Sequence, residues 1–450
     1  MADTRMGALG HRRVLAIALP IVLSNATVPI LGVVDTAVVG RMGQAAPIGA
    51  VGVGAIILTA LYWVFGFLRM GTTGLTSQAF GRGDTPEVGA MFLRALLIGL
   101  AAGVGLIALQ VPLIHGAFMV SPASPEVETL ARTYAGIRIW SAPAAIAIYG
   151  ITGWLIAVER TRAVLVLQVW MNGVNILLDL LFVPGMGFGV AGVAWATFIA
   201  EWSALGLGLY LCRTAFRLRW EWARILDRAR LIHMARVNTD ILIRSLLLQA
   251  MFVSFLFLGA GFGDRPLAAN QVLLQFLHIT AYGLDGFAFA VETLVGQALG
   301  ARRRSALRRA VVLCAIWSGI TAAGTAVAFG VFGGAIIDAM TTAPDIRTEA
   351  RHYLPYMVLA PLIGVVPWLL DGVFIGATRT GDMRNMMALS FVIYVGALAL
   401  LVPVFGNHGL WVALLVSFAA RGATLGARYM ALERAADAPA SQNPDQSTGS

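Results

Sequence analysis

Asn175 and Asp179 stand four residues apart in Met171–Val183, a stretch otherwise dominated by leucine, isoleucine, valine and phenylalanine. That spacing puts both polar groups on one face of a helix. A carboxylate in such a stretch costs ~2.5–3.5 kcal/mol to leave in lipid, so it is expected to face a bundle interior or a water-filled cavity. The chemistry open to it is uptake and release of a proton or of a small cation. Asp35 lies five residues before Gly40 at the end of the first apolar run, and Asp179 five before Pro184 at the end of the fifth. At 1.5 Å per residue both sit about 7 Å below one membrane surface. Asn175, nine residues from Pro184, and Thr197, eight past Gly189, sit about a turn deeper and level with each other. Two carboxylates, a carboxamide and a hydroxyl at matched depth can form one oxygen-rich pocket, where like charge and desolvation favour a shared proton. The same residues are equally well accounted for if Asn175 and Thr197 join helices by hydrogen bonds and Asp35 is simply wet.

The elements that must position these groups follow from composition. The 450 residues are 58% hydrophobic and only 12% charged, about half the charged content of soluble domains. Apolar spans fall near 14–39, 49–70, 91–115, 134–157, 163–183 and 189–212, then near 238–260, 269–295, 310–337, 352–376, 386–404 and 409–430. Each is long enough to cross a ~30 Å hydrocarbon core. The first, although preceded by Arg12-Arg13, runs well past the apolar core of a signal peptide and is read as a helix that stays. The fold class is therefore an all-α polytopic membrane protein with twelve transmembrane helices.

Arginine sets the expected orientation. All 32 basic residues are arginine. With the N-terminus cytoplasmic, twenty-three fall in inner loops and tails, whereas the outer side holds six: Arg41, Arg132, Arg138, Arg265, Arg347 and Arg351. The net charge of +9 thus reports the positive-inside pattern and no nucleic-acid partner. Both termini are expected in the cytoplasm of a bacterial cell, with the protein in its inner membrane.

Sliding the chain against itself by 219 residues aligns several helix ends. Gln78-Ala79 meets Gln297-Ala298, Gly81 meets Gly300, and Arg132 and Tyr134 meet Arg351 and Tyr353. Gly153 meets Gly372, Arg160-Thr161 meets Arg379-Thr380, and Val183-Pro184 meets Val402-Pro403. Six helices per half is an even number, so the lobes are parallel repeats about an axis along the membrane normal. The expected organisation is a tail over 1–13, a first lobe over 14–212, a cytoplasmic linker over 213–237, a second lobe over 238–430 and a disordered tail over 431–450.

The connecting loops are too short for a catalytic domain. Without a lysine there is neither a P-loop nor Schiff-base chemistry. No HExxH, GxSxG or Cys/His cluster appears, and Cys212 and Cys314 suggest no disulfide framework. The six histidines are scattered: His115, His352 and His408 near outer ends, with His11, His233 and His278 isolated. The chain is expected to be no enzyme and to need no cofactor.

Five stretches together resemble the multidrug and toxic compound extrusion (MATE) transporters, in particular the DinF-like branch. They are Leu19–Pro29, Gly32–Gly40, Arg69–Gly81, Asp285–Glu292 and Leu370–Arg379. The resemblance implies two six-helix lobes around a cleft, and export of amphipathic, often cationic compounds driven by inward proton or sodium movement. It also implies a proton or cation site in the first lobe, with Asp35, Asn175, Asp179 and Thr197 matching its polar positions and Pro20 matching the bend of the first helix. Another branch carries acids on helices seven and ten. Here Asp240 stands near the start of the seventh span and Asp371 about a turn from the expected place, which argues against a sodium site in the second lobe. Small amphipathic organic substrates, protons or sodium and the bilayer are the expected partners of a monomer. Met70, Met91, Phe92, Trp140, Trp154, Trp170 and Met171 are expected to offer surfaces for aromatic cations, although helix packing or lipid contact accounts better for any one of them taken singly. The alternative function is a lipid-linked precursor flippase of the same superfamily, which arginines lining the cleft would favour.

The repeat adds a gate. Arg69 plus 219 gives 288, midway between Asp285 and Glu292, which lie seven apart on nearly one helical face. Equal depth under the repeat puts Arg69 within reach of either acid, as an inner gate; snorkelling of Arg69 to headgroups accounts for it equally well.

Overall fold

A computed structural model describes residues 9–40, 45–120, 124–216 and 221–435. The expected disordered tail falls mostly outside them, as does Arg41. The described chain is helical without strands. Eleven of its helices are long and apolar enough to cross a membrane, and the remaining expected span is present as two shorter helices.

The first half comprises α1 (His11–Ala26), α2 (Val28–Gly40), α3 (Ala45–Trp63), α4 (Phe67–Arg82), α5 (Thr85–Ala108), α6 (Gln110–Val120), α7 (Pro125–Arg138), α8 (Ala142–Ala157), α9 (Thr161–Leu180) and α10 (Gly189–Leu211). Two short helices, α11 (Arg213–Phe216) and α12 (Trp222–Ile225), lead to the second half. That half is α13 (Arg228–Ala260), α14 (Asp264–Gly300), α15 (Arg304–Met340), α16 (Pro344–Gly376), α17 (Thr380–Phe405) and α18 (Asn407–Ala435). Helix starts carry ordinary chemistry. Asp84 accepts from the Glu87 amide at 3.2 Å ahead of α5, and Ser124 caps α7 just before Pro125.

The first span is not interrupted where its proline stands. Pro20 lies inside α1, and the break comes at Thr27, whose amide and hydroxyl both donate to the Ser24 carbonyl, at 3.1 and 2.7 Å. A proline costs one ladder bond, which a membrane helix can re-satisfy locally.

The 219-residue repeat is written into the backbone. Six of the eight positive-φ positions among the described residues pair off: Gly83 with Arg302, Glu159 with Thr378, and Gly187 with Gly406. The ends of α8 and α16 close alike, Arg160 donating to Leu155 at 2.8 Å and Arg379 to Phe374 at 3.0 Å, as a left-handed helix cap requires. Close approaches repeat too. A Cβ on Gly153 would lie 2.4 Å from the Arg69 carbonyl oxygen, and one on Gly372 would lie 2.4 Å from that of Ala288. Gly81 and Gly300 are reciprocal: each meets the carbonyl three residues before the other, Gln297 and Gln78, at 2.1 Å. A contact in which a residue and its repeat mate exchange roles is what a pseudo-two-fold axis produces.

The chain divides into two compact units. One takes Met1–Val22, Ser77–Gly83 and Arg228–Ser450, as far as these are described; the other takes Leu23–Thr76 and Asp84–Asp227. In this division most of α1, through Val22, and the end of α4 group with the second half of the chain. In the first unit Gly286 on α14, having no side chain, admits Val22 and the Ala18 carbonyl of α1. Gln78 there donates to the Gly376 carbonyl at 3.1 Å and the Thr378 hydroxyl at 3.0 Å. An aromatic core of Phe255, Phe276, Phe329 and Trp411 fills that unit. In the second unit Arg94 is buried, binding Glu87 at 2.7 Å and the carbonyls of Arg224 and Ile225, which anchors α12.

Candidate functional site

Helix α9 presents a polar stripe to the interior of its unit. Gln168, Asn172, Asn175 and Asp179 recur at four-, three- and four-residue steps, one helical face. Gln168 donates to Asn172 at 3.0 Å, and Asn172 donates to the Thr27 hydroxyl at 2.8 Å, tying α9 to the break in the first span. Asn175 then donates to Asp179 at 3.0 Å and to the Thr197 hydroxyl at 3.3 Å, while Thr197 donates to the Val193 carbonyl of α10 at 3.1 Å. Asp179 is 0% and Asn175 1% exposed. The Asn175 Oδ1 atom is buried with no hydrogen-bond partner, an oxygen that a hydroxyl or a small cation would satisfy. Three of the four residues expected in the pocket therefore meet.

The side chain of Asp35 lies outside what is described, and its backbone stands on α2. Helix α2 packs against α9. Counting from the Thr27–Asn172 contact, Asp35 is eight residues along α2 and Asp179 seven along α9, so their backbones are level to about 1.5 Å if the helices run in parallel. The repeat points the same way. The positions 219 residues after Asp35 and Asn175 are Ser254 and Tyr394, whose hydroxyls lie 3.2 Å apart. The mates of Asp179 and Thr197 are Leu398 and Val416. The second half thus builds the same helix contact without a charge, so the fold itself does not require acids at these positions.

Sequence reasoning missed a second buried polar cluster. Asp371 on α16 receives the guanidinium groups of both Arg244 on α13 and Arg421 on α18, and all three side chains are buried. Only their failure to fit any loop marked Arg244 and Arg421 beforehand. A carboxylate whose Oδ2 atom faces two guanidiniums already has its charge compensated and is poorly suited to a sodium ion. Asp240 is likewise engaged, by Arg384 at 2.5 Å and the Thr380 hydroxyl at 3.1 Å. A third pair lies in the first half: Arg138, one of the six arginines counted on the outer side, is largely withdrawn from solvent against Glu201 at 2.6 Å, with its own carbonyl accepting from Tyr62 at 3.0 Å. The acid on α10 compensates the charge that would otherwise have to reach water.

The residues expected to gate are placed separately in the two units. Arg69 is buried on α4 in one; Glu292 is buried and Asp285 half-buried on α14 in the other. Among the described residues no cluster of three or more histidine, cysteine or acidic side chains has metal-binding geometry.

The profile of the MatE family matches residues 20–181 and 241–400. DNA damage-inducible protein F of Escherichia coli (strain K12) is 42% identical over 415 residues, covering 91% of this chain and 90% of that protein. Protein DETOXIFICATION 44, chloroplastic, of Arabidopsis thaliana is 26% identical, covering 93% of this chain and 82% of its own. Among solved structures, a MATE protein in a bent conformation superposes with a TM-score of 0.86 at 17% identity, covering 95% of this chain and 97% of its own. A Vibrio cholerae MATE transporter in its bent form superposes with a TM-score of 0.85 at 19% identity, covering 97% and 99%. At such identities the superpositions establish the fold.

Proposed function

The chain belongs to the MatE family, as a multi-pass membrane transporter, and from that premise we propose that it is a secondary active antiporter. It exports amphipathic, often cationic organic compounds in exchange for protons, with sodium as the alternative coupling ion, by alternating access. The observation that carries this reading is the buried Asn175–Asp179–Thr197 network, level with Asp35, at positions where the second half carries only neutral residues. Asp35 and Asp179 share a proton; protonation removes their repulsion, and the first span responds at Pro20 and at the Thr27 break that α9 holds. The termini face the cytoplasm of a bacterial inner membrane, a reading that the arginine distribution supports. The flippase reading is weaker, because the two buried arginines of the second half are both engaged by Asp371.

Protein in liposomes loaded with an amphipathic cationic dye is expected to move dye when a proton gradient is imposed, with sodium varied independently. Dye movement under neither gradient, or a preference for small hydrophilic anions, would overturn the proposal.

The inner gate belongs to the same proposal. Arg69 pairs with Asp285 or Glu292 and holds the cytoplasmic side shut while the cleft opens outward. Arg69→Glu is expected to impair dye export, and adding Glu292→Arg or Asp285→Arg to recover part of it. If neither second change rescues, and cysteine pairs at these positions never cross-link, there is no such gate.

A further inference from the structure

Two histidines that are far apart in sequence meet at one end of the second half of the chain. His352, on the third turn of α16, and His408, at the start of α18, bring their Nε2 atoms to 3.0 Å. The other nitrogen of His408 is held: Nδ1 lies 2.9 Å from the Tyr356 hydroxyl, one turn along α16 from His352. The Tyr353 ring packs against His408 at a centroid distance of 4.8 Å, fixing the imidazole from a second side. Beneath, the start of α18 is pinned to α14, because the side-chain amides of Asn270 and Asn407 exchange hydrogen bonds of 2.8 and 3.0 Å and Trp411 donates to Asn270 at 2.9 Å. His352 is exposed and His408 half-buried, so the pair is not sealed inside the protein.

We propose that His352 and His408 form a site for a divalent transition-metal ion such as Zn2+ or Ni2+, bridging α16 and α18. Two ligand nitrogens in a tetrahedral zinc centre, each ~2.0–2.1 Å from the metal, stand about 3.3 Å apart, so the pair need open by only a few tenths of an ångström. Imidazole is a preferred ligand of these borderline metals. With the metal on Nε2, the His408 Nδ1–H donates to the Tyr356 oxygen, the outer hydrogen bond that orients a metal-binding histidine. No third histidine, cysteine or acid completes the set among the described residues, so water supplies the remaining positions and the ion stays exchangeable. The repeat mates of the two histidines are Thr133 and Gly189, so the pair is not a requirement of the shared fold.

The test is calorimetric titration of the full-length protein in nanodiscs with zinc chloride or nickel chloride, after purification without a histidine tag. One equivalent is expected to bind, weakened at least about tenfold by His352→Gln and by His408→Gln and unchanged by His278→Gln, which leaves the other histidines as internal controls. His352 is exposed, so its variant is expected to keep the metal-free melting temperature. Absence of a saturable equivalent in the unaltered protein, or equal binding by the His352→Gln variant, overturns the proposal.

Discussion

Asp179→Asn protein is expected to insert and fold like the parent yet to export nothing against a proton gradient. The substitution keeps the side-chain shape and an oxygen able to accept from Asn175, whose amide now donates to Asp179 at 3.0 Å and to Thr197 at 3.3 Å. What it removes is the charge, and with it the capacity to bind a proton reversibly. Because the repeat mate of Asp179 in the second half is the neutral Leu398, and those of Asp35 and Asn175 are the neutral Ser254 and Tyr394, helix packing tolerates a neutral residue at this level, so the loss should appear in coupling and not in stability. Asp35→Asn is expected to behave in the same way, and the double variant to be no worse than either single one, as when two groups serve one proton. The measurement is dye efflux from proteoliposomes with pH and sodium varied independently, alongside thermal stability in detergent. Full export by the double variant would show that neither acid couples transport; a large fall in melting temperature would show that they hold the lobe together instead.

Why these residues could be found from sequence, and others not, has a physical basis. Membrane depth is linear in residue number along a helix, so Asn175, Asp179 and Thr197 could be levelled from the ends of their spans, and the hydrogen bonds follow that levelling. The repeat was visible because close helix contact restricts sequence: Gly81 and Gly300 meet each other's helices where no side chain fits. Glu159 and Thr378 show the converse, sharing a left-handed backbone conformation that their residue types do not announce. Gln168 and Asn172 escaped notice because uncharged residues are cheap in an apolar run, although their steps toward Asn175 complete one helical face. The break at Thr27 was hidden by Pro20, the more conspicuous residue. Arg244, Asp371 and Arg421 come from three helices far apart in the chain; no spacing rule joins them, and their meaning appears only when the helices pack.

Asp371→Ala is expected to produce the largest loss of stability of any single change in the second half. Its carboxylate receives Arg244 and Arg421, all three side chains being buried. Removing one partner of a buried ion pair leaves uncompensated charge and costs about 3–5 kcal/mol, and here two guanidiniums lose their shared carboxylate at once. A fall in apparent melting temperature on the order of 10 °C follows for a unit of this size, readable by fluorescence-detected size-exclusion after heating. Asp371→Glu, which keeps the charge, should recover part of it. The triple change Arg244→Met, Asp371→Leu and Arg421→Met should recover more, since well-packed apolar residues commonly replace a buried ionic cluster at little cost. The same series separates a structural clamp from a cation site. If Asp371 held a transported cation, Asp371→Asn would leave the melting temperature near that of the parent and abolish cation-driven export. The clamp predicts the reverse order of effects: stability falls first, and whatever protein survives still responds to the imposed gradient.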